Sequence, residues 1–110
     1  MAYSTTVLDS DSTLLVVKSH RIDASTAGEF QDYVASVIKR QGGVLILDIS
    51  RVDFMDSTGL GALVSLLKMF DVRDDMRVVG AQTLVKDLMR LTRMDRIFKN
   101  YETVESALAS

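Results

Sequence analysis

Neither cysteine nor proline occurs anywhere in the 110 residues. Without cysteine there can be no disulfide and no thiolate metal site, and a reducing compartment is allowed. A surplus of cations is missing as well: 13 Lys and Arg stand against 15 Asp and Glu, giving a net charge of -2. With a pI near 5.2, a nucleic-acid binder that neutralises phosphates is not expected, because that task needs clustered surplus Lys and Arg. Long apolar runs are lacking too. Stretches such as Val44 to Leu47 and Leu60 to Leu67 fall far short of the roughly 20 residues a membrane span requires. The opening Met-Ala-Tyr-Ser-Thr-Thr carries neither a basic patch nor the hydrophobic centre of a signal peptide. The cytoplasm is the expected compartment, with no direct membrane insertion.

What is present suits one globular domain over residues 1–110. Hydrophobic residues make up 47% and charged residues 25%, and a chain of this length buries about two thirds of its unfolded surface. Strand and helix patterns alternate along it. Thr5 to Leu8 and Thr13 to Lys18 read as strands joined by a turn at Asp9 to Ser12. Ala27, Phe30, Val34, Val37 and Ile38 recur at helical spacing, with Thr26 and Glu29 as an expected capping box. Gly42-Gly43 ends that helix, and Val44-Leu45-Ile46-Leu47 is the continuous apolar run of a central parallel strand covered on both faces.

A second helix is expected from Ser57 to Phe70 and a strand from Met76 to Val79. Leu84, Leu88 and Leu91 give a third helical stripe, Ile97 to Tyr101 a last strand and Val104 to Ala109 a short terminal helix. The order ββαβαβαβα implies an α/β fold: a mostly parallel, mixed sheet of about five strands with flanking helices and an antiparallel edge from the first hairpin. No repeat, linker or low-complexity segment interrupts it. With no heptad and no long apolar edge in view, a monomer is expected.

The most informative stretch is Asp53 to Gly61, Asp-Phe-Met-Asp-Ser-Thr-Gly-Leu-Gly. It follows the apolar strand and opens the second helix, so the hydroxyls of Ser57 and Thr58 fall where unpaired N–H groups and the helix dipole favour added negative charge. Either residue could instead serve only as an N-cap, and Asp56 reads as a cap or loop acceptor. Catalysis by this chain is not expected. An aspartic protease needs paired carboxylates, and a serine hydrolase needs a base, yet the sole histidine is His20 in an early loop. Gly59 and Gly61 lack the Lys-Ser/Thr of a phosphate-cradling loop. Asp23, Asp53 and Asp56 alone make a weak metal set, so neither metal nor cofactor is expected. A phospho-aspartate receiver, with Asp48 ending its central strand, would need an acidic pair after the first strand and a late Lys, which are missing.

The string Phe54-Met55-Asp56-Ser57-Thr58-Gly59-Leu60-Gly61, the upstream Arg21-Ile22-Asp23 and the element order together resemble the STAS domain of bacterial anti-sigma factor antagonists, over nearly the whole chain. The resemblance implies that Ser57, with Thr58 as the alternative, is phosphorylated by a partner that is both anti-sigma factor and serine kinase of the histidine-kinase-like ATPase type. It further implies release on phosphorylation and resetting by a metal-dependent Ser/Thr phosphatase. STAS-like domains also occur as scaffold subunits of ABC lipid-transport complexes and in anion transporters, which is the alternative function. His20 and Arg21 stand where many members have Gly and an acidic residue, so the partner-facing loop is expected to be tuned to its own kinase.

On the second helix, Leu60, Leu63, Val64, Leu66, Leu67 and Phe70 fall within one arc that should face the sheet. Gly61, Ser65 and Lys68 lie opposite, with Ala62 and Met69 close by, as a shallow docking face or as solvent-tolerant surface. Motif and face together make Asp23, Asp53, Met55, Asp56, Thr58, Gly59, Gly61, Ser65 and Lys68 the expected partner-binding residues. Asp23, Asp53 and Asp56 would give a phosphate on Ser57 a negative neighbourhood. Lys86, Arg90, Arg93, Arg96 and Lys99 form a basic run, read as a solvated helix face or as a contact for an acidic partner. Thr83, after a strand, could border the docking site.

Overall fold

A computed structural model of the chain describes residues 2–109. Its elements run β1 Tyr3–Val7, β2 Ser12–Val17, β3 Arg21–Ile22, α1 Ala27–Gln41, β4 Val44–Asp48, β5 Phe54–Met55 and α2 Ser57–Leu67. They continue with a 3-10 turn Arg73–Asp75, β6 Met76–Val79, α3 Thr83–Leu91, a 3-10 turn Met94–Arg96, β7 Asn100–Tyr101 and α4 Val104–Leu108. Five strands pair in the order β1-β2-β4-β6-β7. The β1–β2 pair is antiparallel and every later pair parallel, so the expected mixed sheet with a hairpin edge is the observed one.

The apolar run of β4 explains its central place. Leu45, Ile46 and Leu47 are all buried, and alternate residues feed opposite faces of the sheet. On one face Leu45 and Leu47 join Leu15, Val17, Met76 and Val78 under the helices, around Phe30, Val34, Val37, Leu63 and Leu66. On the other, Ile46 and Val79 meet Ala107 of α4, with Leu14, Val44, Tyr101 and Val104 packed around them. Arg77 of β6 is fastened on that second face, its guanidinium donating to the carbonyl of Ala107 and, at 2.8 Å, to that of Asp74. A cation at the last carbonyls of a short helix complements its dipole.

Several local expectations are corrected. Thr26 precedes α1 but makes no side-chain cap; its Oγ1 instead accepts the N–H of Asp23 at 3.0 Å, so no box forms with Glu29. The capping box lies at the other end of the chain, where Thr103 and Ser106 bond each other's backbone N–H groups ahead of α4. Gly42 ends α1 with φ 65° and its N–H on Ile38, as the double glycine predicts. α2 stops at Leu67 rather than Phe70. Ile97 and Phe98 emerge from a 3-10 turn, so the last strand is only Asn100–Tyr101.

The leucine stripe expected on α3 is present on the helix but is not its buried side. Val85 and Met89 are buried, whereas Leu84 is 48% and Leu91 79% exposed. Two short elements had no signal of their own: β3 and β5 pair in parallel, Arg21 opposite Phe54 and Ile22 opposite Met55, as a separate two-stranded sheet.

Candidate functional site

That small sheet builds the entrance to α2. Beyond β4, the N–H groups of Asp53 and Phe54 both donate to the carbonyl of His20, at 2.9 and 3.2 Å. They draw the loop into β5 alongside β3. The guanidinium of Arg21 lies 4.5 Å from the centre of the Phe54 ring, a cation–π contact that covers the exposed side of the pair. The chain then passes through Asp56 in extended conformation and becomes helical at Ser57.

Asp56 is the N-cap. Its Oδ1 accepts the N–H of Gly59 at 2.9 Å, and its Oδ2 accepts the N–H of Ala24 at 3.1 Å. One carboxylate therefore both caps α2 and ties it to the loop before α1. Gly59 packs against β3 so closely that a Cβ would overlap the carbonyl oxygen of Ile22. Ser57 and Thr58 are both exposed, and among the described residues neither hydroxyl makes a hydrogen bond. With Asp56 as the cap, the N–H groups of Ser57 and Thr58 are the donors left over at the start of the helix. An exposed hydroxyl at this position is accessible to modification and sits where a dianion is favoured by the dipole and by N–H donors.

Electrostatically, the three carboxylates of the site are in different states. Asp23 is buried, 6% exposed. Its Oδ1 accepts both the hydroxyl and the N–H of Ser25, at 2.7 and 3.0 Å, and its Oδ2 accepts Arg21 Nε at 2.7 Å. The Ser25 hydroxyl first, then Arg21, hold its carboxyl down to about 2 against burial, which works the other way. Asp53 is exposed, with its Oδ2 3.4 Å from His20 Nδ1. Asp56 is half-exposed and bonded to two backbone donors. The negative neighbourhood expected around Ser57 is thus partly spent inside the fold, because Asp23 is committed to Arg21 and Ser25.

Of the residues expected to meet a partner, Asp23, Asp56, Thr58 and Gly59 come together around the start of α2, with Asp53 just ahead of β5. Gly61, Ser65 and Lys68 are exposed along the outer side of α2. Ala62, expected near that side, is 4% exposed and belongs to the core, on a helix flanked by α1. Met55 is 3% exposed, so it and Gly59 shape the surface from beneath. Sequence reasoning missed the Asp56–Ala24 bond, the Arg21–Phe54 stack and the outward leucines of α3. Only the i, i+4, i+7 spacing of those leucines was visible, as a helical stripe with no side assigned to it. Among the described residues no group of three or more His, Asp or Glu is arranged to hold a metal ion, and no helix is long and apolar enough to cross a membrane.

Three kinds of likeness bear on this geometry. The family model described as STAS domain matches residues 5–107. Among curated proteins, the chain is 32% identical over 89 residues to the anti-sigma-B factor antagonist of Listeria monocytogenes, covering 74% of this chain and 68% of that one. It is 24% identical over 103 residues to the anti-sigma-F factor antagonist RsfB of Mycobacterium tuberculosis, covering 94% and 84%. Among solved structures, an anti-sigma factor antagonist from Mycobacterium paratuberculosis superposes with a TM-score of 0.82 at 27% identity, over 97% of this chain and 92% of the other.

Proposed function

The chain belongs to the STAS domain family, and on that footing we propose that it is an anti-sigma factor antagonist switched by phosphorylation at Ser57. Unmodified, it binds an anti-sigma factor that is also a serine kinase of the histidine-kinase-like ATPase type, and so frees that factor's target. Phosphorylated, it lets go, and a metal-dependent Ser/Thr phosphatase restores it. Thr58 is the alternative acceptor. The chain acts in this scheme as a monomeric cytoplasmic regulator with no catalysis of its own.

The observation that carries this reading is the division of labour at the start of α2. Asp56 already caps the helix, which leaves the exposed Ser57 hydroxyl without a structural task. A phosphate there adds about -1.5 to -2 charges, which the helix terminus tolerates or favours by roughly 0.3 to 2 kcal/mol. A docked protein meets the same charge as a desolvation cost, in a surface that already carries the carboxylates of Asp53 and Asp56. A hundredfold loss of affinity asks for only about 2.7 kcal/mol, well within what one buried dianion imposes on an interface. Binding therefore responds to the modification while folding does not.

The test is incubation with ATP and the cognate kinase. A mass gain of one phosphate that disappears in Ser57→Ala, with loss of the complex on modification, supports the switch. A kinase that modifies Ser57→Ala equally would move the acceptor to Thr58. A stable complex with transporter ATPase subunits that ignores Ser57→Asp would favour a scaffold instead.

A further inference from the structure

The three leucines of the α3 stripe form the apolar side of an open groove beside the α2 entrance. Leu84 is 48% and Leu91 79% exposed, and Leu88 is half-buried between them. Together with Met55, Thr83 and Asp87 they line a depression of about 530 Å³. Spaced i, i+4 and i+7 along α3, they present the repeat that an incoming helix reads when it lies along a groove. Met55 forms part of the lining and is followed directly by Asp56 and Ser57, so the groove runs up to the proposed switch.

The charges at its far end are not self-satisfied. Leu91 also borders a second depression lined by Arg90, Arg93, Asp95 and Arg96. Arg90 is held by Asp87 at 2.8 Å and Lys86 by Glu102 at 3.4 Å, whereas Arg93 and Arg96 form no ion pair among the described residues. Arg93 is also the only described non-glycine residue with positive φ, at 64°. It stands just past the end of α3, where glycine is the unstrained choice. The left-handed turn at Arg93 belongs to the ending of α3, but its guanidinium, like that of Arg96, is exposed and open to an acidic group from outside the fold.

We propose that this groove seats an amphipathic helix of the partner protein that reads Ser57, with its apolar face on Leu84, Leu88 and Leu91 and acidic residues in its terminal turn on Arg93 and Arg96. The identity of the partner rests on the function proposed above; the chemistry of the occupant rests on the groove alone. A second copy of this chain is the poorer occupant, because it would bring its own Arg93 and Arg96 to the same patch.

The full chain, labelled with 15N, is titrated with a synthetic helical peptide carrying leucines at i, i+4 and i+7 and glutamates in its last turn, and with a control bearing lysines in their place. The expected result is amide shifts centred on Met55, Leu84, Leu88, Leu91, Arg93 and Arg96, with binding about tenfold weaker for the lysine peptide. Leu91→Asp weakens the acidic peptide by about tenfold or more at unchanged Tm. Arg93→Gly weakens it by about threefold while Tm holds or rises, a combination that a purely structural arginine would not give. Equal binding of the lysine peptide, shifts elsewhere, or undiminished binding by either variant overturns the proposal. So does a concentration-dependent shift of the same residues without peptide, which would make a second copy the occupant. Peptide binding at the groove in a chain whose Ser57 no kinase modifies would leave the groove standing and remove the switch.

Discussion

The Oδ2 atom of Asp56 accepts the backbone N–H of Ala24 at 3.1 Å, across 32 residues of chain. Since the other oxygen caps α2 through Gly59 at 2.9 Å, a single side chain sets the spacing between the two loops that flank Ser57. The entrance is therefore built in the chain on its own, so under the proposed function less ordering has to accompany binding.

Asp56→Ala should remove both bonds. Loss of an N-cap costs about 0.5–2 kcal/mol, and the freed Ala24 N–H adds to it, so urea denaturation should place the variant at or above the upper end of that range. Asp56→Asn keeps an acceptor for the cap and should lose less. Hydrogen exchange at Ala24 should speed up in the alanine variant.

Gly59→Ala should destabilise for a different reason. The added methyl meets the carbonyl of Ile22, part of the backbone of β3, which cannot move aside as a side-chain end would. Overpacking of this kind costs about 1–3 kcal/mol. Gly61→Ala, with open space around it, should be neutral or slightly stabilising, since alanine favours helix by about 1 kcal/mol. Thermal melts of the two variants side by side separate a glycine needed for close approach from one that is merely exposed.

Ser57→Ala should leave stability within about 0.5 kcal/mol of the parent, because the hydroxyl holds nothing in the fold. Thr103→Ala, which breaks the capping box of α4, should cost about 0.5–2 kcal/mol. If chemical denaturation finds Ser57→Ala the more damaging of the two, the hydroxyl is structural and the proposed switch loses its basis.

Asp23 gives the chain an acid-sensitive element. Its folded carboxyl titrates at about 2, below the ordinary 3.8, so its contribution to stability is complete above the ordinary value. That contribution drains away as pH falls through the interval down to about 2. The carboxyl resonance followed by NMR should titrate below that of a free aspartate, and Asp23→Asn should flatten stability against pH across the same window.

The parallel sheet could be read from β4, because a strand covered on both faces leaves a continuous apolar run. β6 could be read as a strand, although Arg77 interrupts its apolar run. α3 could be located but not oriented: it carries leucines on one side and Val85 with Met89 on another, and periodicity gives the angle between faces without saying which one the sheet claims. Tertiary packing against β5 and the turn after α3 decided it. The pairing of β3 with β5 was invisible because two residues are too few to show a pattern. At the site, the place of Ser57 was legible from the switch between an apolar strand and a helical stripe. The cap role of Asp56 was legible as one of two options, whereas its second bond to Ala24 depends on a contact between segments 32 residues apart, which no local pattern encodes.

The Asp9 to Ser12 turn carries a practical corollary. Ser12 pairs with Val44 at the start of β4, and the carbonyl of Asp11 receives the Val44 N–H at 2.7 Å, while α2 begins beyond the opposite end of the same strand. A fluorophore or affinity label attached at exposed Ser10 would thus project from beyond the end of β4 opposite to Ser57, and should report on the proposed complex without obstructing it.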